Sequence, residues 1–541
     1  MTVGTLGVAT KRDVAWRKQT EKLYAHSSWE GSFPVPVCIA KELGMIERKA
    51  VLVSVGNDYS RYAVHMPIAP PLGILALGSF LEHHGVPVEL IDVQVDFGFG
   101  TTAEVERRIC RRVAQYLKRQ TASIAWVGIS MLSNTGSGLV LGEAIRAALP
   151  DTPIVYGGYF PTRVSKLLLQ DYPFITAIVR GDGEAAALQI SRLLADGRPF
   201  PCGQVPNLAW REHGRIRTTT AEPIDVDVLP IVNYRLLHNR RCYPVVLTML
   251  SRGCPFHCTY CSESTMRPYA AYSIDWVRQQ FDHLEKEVTC SRIGILDPVF
   301  GVGRKRTLEI IKVMRGRRFS YGLESRVDVL TPDLIPLLHE AGVALIFWGI
   351  ESGSVRTLKR MKKVPSEAGA KRYLDDARAV LRACMENNVV PLVGLMFGFP
   401  GETETDCRAT LRLAMEINQI QTEVTNRTGV ESGFVPFATP TIVYDGTPLA
   451  KLLPVKYPRV RLQPAPFVGE SNILSPSSRL RLSDSKRYAK TSDVFASFTP
   501  NALEQLDRFS TFVPKKFTAA HPELTDRRGV TVISPDVRRL G

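Results

Sequence analysis

Two stretches of the chain alternate between short apolar runs and longer segments of helical spacing. Strand-sized runs rich in β-branched residues occupy 51–55, 87–93, 124–130, 153–158 and 177–181. Between them, 72–84, 103–117, 138–149, 162–170 and 184–194 place apolar residues three and four apart, which gives a helix one buried face. Gly85 stands just past the first of these, where a left-handed residue commonly ends a helix. A second alternation puts strands at 245–250, 292–297, 320–325, 345–350, 389–398 and 433–437, with helices at 275–287, 305–315, 332–341, 367–387 and 404–418.

The fold class is therefore α/β. Near-continuous apolar strands, each followed by a helix, predict a parallel sheet covered on both faces. The first series reads as a flavodoxin-like doubly wound parallel sheet. The second, with one more strand, suits a partial (β/α)6 barrel better than another open sheet. The expected organisation is an N-terminal extension (1–48, with a short basic helix at 13–26), a first domain (49–198), a Pro-rich and polar linker (199–240), a barrel (241–455) and a C-terminal appendage on the substrate side (456–541). In that appendage only 502–512 has firm helical spacing. No apolar run is long enough to span a bilayer, and the N-terminus lacks the apolar core of a secretory signal, so a cytoplasmic protein without a membrane partner is expected.

Charge changes this picture little. The formal net charge is +15, but the basic residues are spread along the chain without a long tail or a basic–aromatic repeat. A solvated basic surface is the simpler reading, and a nucleic-acid partner is not expected.

The cysteines change it more. Of the ten, seven are scattered, as small buried apolar residues are. The other three fall in SRGCPFHCTYC (251–261), where Cys254, Cys258 and Cys261 form CxxxCxxC just after a strand. Closed zinc sites and most iron–sulfur clusters take four protein ligands, and here the local run supplies three. Either a fourth ligand comes from elsewhere, His257 being nearest, or one metal position stays open for a substrate or cofactor.

This motif, its strand and the following βα units resemble the radical S-adenosylmethionine (SAM) superfamily. The segments ESRVDVLTPDLIPLLHEAG (324–342), GIESGS (349–354) and GLMFGFPGET (394–403) follow in that family's order. The resemblance implies that Cys254, Cys258 and Cys261 hold a 4Fe–4S cluster whose open iron binds SAM. It also implies that Tyr260, Glu324, Arg326, Glu351, Met396 and Gly398 contact SAM, with the Gly-rich 394–401 stretch approaching the adenine. Read from the residues alone, Arg326 and Glu351 equally suit an ion pair in the barrel mouth. The family's GGE tripeptide is absent, and ILDPVFG (295–301) stands in its place, so the holder of the SAM amino group is open.

The first domain resembles the cobalamin-binding domain that precedes the core in one large radical SAM subclass, the class B-type methyltransferases among them. The matching pieces are 70–85, VGISMLSNTG (127–136), VYGGYFPT (155–162) and VRGDGE (179–184). Ser130, Ser133, Gly157, Gly158, Gly181 and Glu184 are the implied cobalamin contacts. Each lies near the C-terminal edge of a predicted strand, where doubly wound sheets bind ligands. For any one of them, ordinary turn chemistry is the competing reading. The DxHxxG motif is missing: Asp58 has no histidine two residues on, which suggests a cobalt without a histidine below it. His65 and Met66 are the nearest alternatives.

These resemblances imply an enzyme with a 4Fe–4S cluster, SAM and cobalamin as cofactors, which carry the hard chemistry while the protein positions them. The expected activity is methylation of an unactivated carbon, or of a phosphinate phosphorus, on a small-molecule or natural-product substrate. An electron donor such as flavodoxin or ferredoxin would be a partner. Radical cyclisation or rearrangement without methyl transfer is a second reading. A zinc-stabilised, non-catalytic binding module is a third.

Overall fold

The computed structural model describes residues 48–55, 69–98, 103–131, 137–200, 203–429, 434–444, 446–456, 462–464 and 494–496. The expected helices at 13–26 and 502–512, together with Ser133, Asp58, His65 and Met66, lie outside these residues.

The first sheet is built from β1 (Lys49–Ser54), β2 (Val88–Asp92), β3 (Ile124–Ser130), β4 (Ile154–Gly157) and β5 (Ala177–Val179). Helices α1 (Leu72–His83), α2 (Ala103–Lys118), α3 (Ser137–Ala148), α4 (Tyr159–Asp171) and α5 (Glu184–Ala195) pack on it. The order is β2-β1-β3-β4-β5 and all pairs are parallel, as a doubly wound sheet requires. Strand β3 is buried along almost its whole length, because helices cover both faces.

Residues 199–240 differ from the expected linker. They supply β6 (Leu208–Glu212) and β7 (Arg215–Thr218), which extend the same sheet antiparallel beyond β5. The burial of Leu208, Ala209 and Trp210 against the sheet stabilises this hairpin. Its exposed outer strand and Pro-rich flanks leave no alternation to read in the sequence.

The second sheet is parallel, with order β8-β11-β12-β13-β14-β15. Its strands are β8 (Val246–Thr248), β11 (Arg292–Ile295), β12 (Ser320–Ser325), β13 (Val343–Glu351), β14 (Val390–Phe397) and β15 (Val435–Pro440). A small hairpin, β9 (Ser251–Arg252) with β10 (Ala270–Ala271), follows β8. Helices α6 (Ile274–Glu287), α7 (Arg304–Met314), α8 (Ile335–Glu340), α9 (Val355–Arg360), α10 (Glu367–Glu386) and α11 (Glu404–Thr428) cover the sheet. Strands β8 and β15 do not pair, so the barrel is open. Ile293, Tyr321, Leu323, Ile346, Trp348, Val393 and Leu395 are buried among the core side chains. Residues of the other parity, such as Leu247, Gly322, Glu324, Leu345 and Phe347, keep accessible surface and form the inner face.

Helix α11 runs ten residues past the expected end at 418, because Ile417, Ile420 and Val424 continue its buried stripe through a polar stretch. Gly429, left-handed at φ +69°, then stops it. Among the described residues no helix is long and apolar enough to cross a membrane.

Candidate active site

The cysteine loop leaves the barrel through β9. At its base Gly253 has φ +71°, and a Cβ there would stand 2.6 Å from the Pro268 carbonyl oxygen, so a side chain could not enter. Asp297 fixes the same strand: its carboxylate accepts from the amides of Leu250 (2.6 Å) and Ser251 (3.1 Å) and from the Ser251 hydroxyl (2.7 Å). Burial pushes that carboxyl up to about 6, against the pull of these donors. Further along, the amide and hydroxyl of Thr259 donate to the Met361 carbonyl at 2.8 and 3.2 Å, and its own carbonyl accepts from Leu449 at 2.8 Å.

Cys254, Cys258 and Cys261 are thiols, with Cys258 buried and the others half-buried. Burial pushes the Cys261 thiol up to about 12, and its neighbour Cys258 adds to the rise. Cys254 is raised for the same first reason. Among the described residues no three His, Cys, Asp or Glu side chains close on a single metal ion. Cys258 acts electrostatically on both Cys254 and Cys261, so the three thiols share one neighbourhood, and three cysteines on one loop suit an iron–sulfur cluster with one iron left open. The residues thus fit the group the motif implies.

Around this loop the ends of β12, β13 and β14 converge. Glu324 on β12 registers with Phe347 on β13 and faces the inner side. Its carboxylate has no hydrogen-bond partner among the described residues. Although accessible to the barrel interior, it is flanked closely by protein. That surround, then the charges of Glu263 and Asp297, push its carboxyl up to about 7. Arg326 and Glu351 do not pair with each other. Arg326 grips Asp328 through Nε and Nη2 at 2.9 and 2.8 Å. Glu351 accepts from Lys363 Nζ at 3.1 Å. Glu351 also has φ +73°, an uncommon conformation for a residue with a Cβ, at the break in pairing between β13 and β14. Met396 and Tyr260 pack together with Met361, Phe399, Leu449 and Leu453. The Gly398 amide donates to Glu402 at 2.6 Å.

At the C-terminal edge of the first sheet, Ser130 registers with Gly157. The half-buried Ser130 hydroxyl has no partner among the described residues. A Cβ at Gly181 would meet nothing within 4 Å among the described residues, and one at Gly157 only the Val179 carbonyl at 3.9 Å, so the backbone at these two positions is open to close approach. Gly158 serves packing: a Cβ there would lie 2.5 Å from the Met131 carbonyl oxygen. These residues fit the corrin the resemblance implies.

Glu184 is turned toward the cysteine loop. Its carboxylate meets Arg252, two residues before Cys254, at 2.7 Å. Burial works against the Glu184 charge, but Arg252 outweighs it and holds the carboxyl below its usual range. Asp182 pairs with Arg252 (3.5 Å) and Arg267 (2.9 Å). The Tyr159 hydroxyl, just past Gly158, bonds Glu263, just past Cys261. Two contact sets therefore tie the edge of the first sheet to the cysteine loop. Sequence reasoning missed Tyr159, Asp182, Arg252, Glu263, Arg267, Asp297 and Lys363. Most of their partners lie far along the chain, and the signals were the position of Arg252 beside the motif and that of Asp297 in the segment that replaces GGE.

The Radical SAM superfamily model matches residues 248–414, and the B12 binding domain model matches residues 63–191. An uncharacterized methyltransferase of Pyrococcus horikoshii is 26% identical over 364 residues, covering 64% of this chain and 74% of the relative. The anaerobic magnesium-protoporphyrin IX monomethyl ester cyclase of Synechocystis is 27% identical, covering 62% and 66%. The hopanoid C-3 methylase of Methylococcus capsulatus is 25% identical, covering 57% and 59%. The chain thus spans less than two thirds of the length of the last two. Among solved structures, the cobalamin-dependent SAM radical enzyme OxsB, with aqua-cobalamin and SAM bound, superposes with a TM-score of 0.65 at 16% identity, over 95% of this chain and 74% of that one. The radical SAM methyltransferase TsrM of Kitasatospora setae, with cobalamin and a [4Fe-4S] cluster bound, gives 0.63 at 16%, over 86% and 88%. The chain thus carries a B12-binding domain followed by a radical SAM domain.

Proposed function

We propose that this protein is a cytoplasmic cobalamin-dependent radical SAM methyltransferase, acting at an unactivated carbon or a phosphinate phosphorus of a small-molecule substrate. One observation carries the reading. The C-terminal edge of the first sheet and the cysteine loop are locked face to face by Tyr159–Glu263 and by Arg252 with Asp182 and Glu184. A substrate between them reaches both centres. When bound, the cluster supplies the electron that cleaves SAM and the corrin supplies the methyl group.

The chain's own residues position and enclose. Cys254, Cys258 and Cys261 hold the cluster. Glu324, an unpaired carboxylate on the inner face, takes the SAM ammonium in place of the missing GGE tripeptide. Glu351 stands ready for the ribose once Lys363 yields, and Met396 and Tyr260 give an apolar wall to the adenine beside Gly398. Ser130, Gly157 and Gly181 receive the corrin, with Ser133 following Ser130 in the same motif. A flavodoxin or ferredoxin is the expected electron donor.

The cyclase relatives favour a second reading, radical cyclisation without methyl transfer. A substrate-free experiment separates the two. The reduced, reconstituted protein is given SAM with a labelled methyl group, and the extracted corrin is weighed by mass spectrometry. Label on the corrin is expected. Cleavage of SAM to 5′-deoxyadenosine with an unlabelled corrin would favour the cyclase.

A further inference from the structure

We propose that Arg326 is a positioning residue for the iron–sulfur site. It holds Cys258 in place and, through its charge and its hydrogen bond to that sulfur, raises the reduction potential of the cluster. This rests on the radical SAM reading above.

Arg326 follows β12 directly, and its side chain is only 4% exposed. Every nitrogen is committed inside the protein. Nε and Nη2 hold Asp328, Nη2 also donates to the Lys363 carbonyl at 2.8 Å, and Nη1 reaches Cys258 Sγ at 3.6 Å. The guanidinium lies over the Phe256 ring, 3.8 Å from its centroid. Phe256 sits between Cys254 and Cys258, so one planar cation braces the loop by stacking and by a bond to its buried thiol. Four of the five N–H groups are used in these bonds, and one on Nη1 remains beside Cys258. Asp328 clamps the far side of the guanidinium in the two-pronged geometry that fixes its plane.

Reduction adds one negative charge to a cluster. Hydrogen bonds to cluster sulfurs and nearby net charge are the main ways a protein sets that energy. A buried cation bonded to Cys258 stabilises the reduced form, and the Asp328 carboxylate behind it partly offsets the effect. The two residues must therefore act with opposite sign.

The test uses the full-length protein, reconstituted with iron and sulfide, in the variants Arg326→Gln, Arg326→Lys and Asp328→Asn. The midpoint potential is read by an EPR-monitored redox titration. Arg326→Gln is expected to move it negative, Asp328→Asn to move it positive, and Arg326→Lys to fall between wild type and Arg326→Gln. Wild-type potentials in Arg326→Gln and Asp328→Asn at full iron and sulfide content would overturn the proposal. If Arg326→Gln holds no cluster, Asp328→Asn decides alone, because it keeps the guanidinium and all three thiols. An unchanged or more negative potential there overturns the proposal. A wild-type chain that assembles no iron–sulfur cluster overturns the radical SAM reading, and this inference with it.

Discussion

Glu324 is an unpaired carboxylate facing the barrel interior, and this makes its protonation state consequential. With its carboxyl raised to about 7, it is largely neutral below that pH and cannot pair with an ammonium group. SAM binding to the reconstituted protein is therefore expected to tighten as pH rises through about 7, read by isothermal titration calorimetry. Glu324→Gln is expected to flatten this dependence. It should also cost about 1.5–3 kcal/mol of SAM binding, roughly 10- to 150-fold in Kd, the usual worth of a hydrogen bond to a charged group. A Glu324→Gln variant with the wild-type pH profile would remove Glu324 from the SAM site. Gly253 offers a second test at this scale. Its left-handed backbone and the 2.6 Å approach to the Pro268 carbonyl leave no place for a methyl group. Gly253→Ala is expected to cost at least about 1–3 kcal/mol, seen as a lower melting temperature and reduced iron uptake.

The elements near the site are joined by charge as much as by packing. Asp182 and Glu184 on one side, and Arg252 and Arg267 on the other, are each no more than 13% exposed. Such a set contributes little net stability over apolar packing, but removing one member leaves a buried charge unpaired. Glu184→Ala or Arg252→Ala alone is expected to destabilise the protein by about 3–5 kcal/mol. The double variant should cost clearly less than the sum, as calorimetric melts of the cycle would show. Additive losses would mean that the pair does not interact. The parallel strands and their covering helices were legible from apolar spacing, and the cysteine site from CxxxCxxC. The β6–β7 hairpin was not, because its outer strand is polar and its inner strand short. The end of α11 was missed because tertiary contacts of Ile420 and Val424 hold a helix through residues of weak propensity. Spatial partners were the least legible: nothing local says that Glu184 faces Arg252 or that Arg326 reaches Cys258.

On the scale of the whole molecule, the parallel strands of the two sheets present their C-terminal edges to each other, and ligand sites of such sheets lie at that edge. If the cysteine loop holds the cluster and the edge of the first sheet holds the corrin, as proposed, the two centres should be separable. A Cys254→Ala, Cys258→Ala, Cys261→Ala variant is expected to lose the cluster yet retain corrin, as iron and cobalt counts after desalting would show. Loss of both would mean that the cysteine loop is itself needed to form the corrin site. The most direct test of the pairing is anaerobic reconstitution of the wild-type chain with iron, sulfide and hydroxocobalamin, followed by desalting, absorption spectra and metal counts. One corrin and one four-iron cluster retained per chain is the predicted result. A cluster without retained corrin would contradict the methyltransferase account, and zinc with neither chromophore would contradict the enzyme reading altogether.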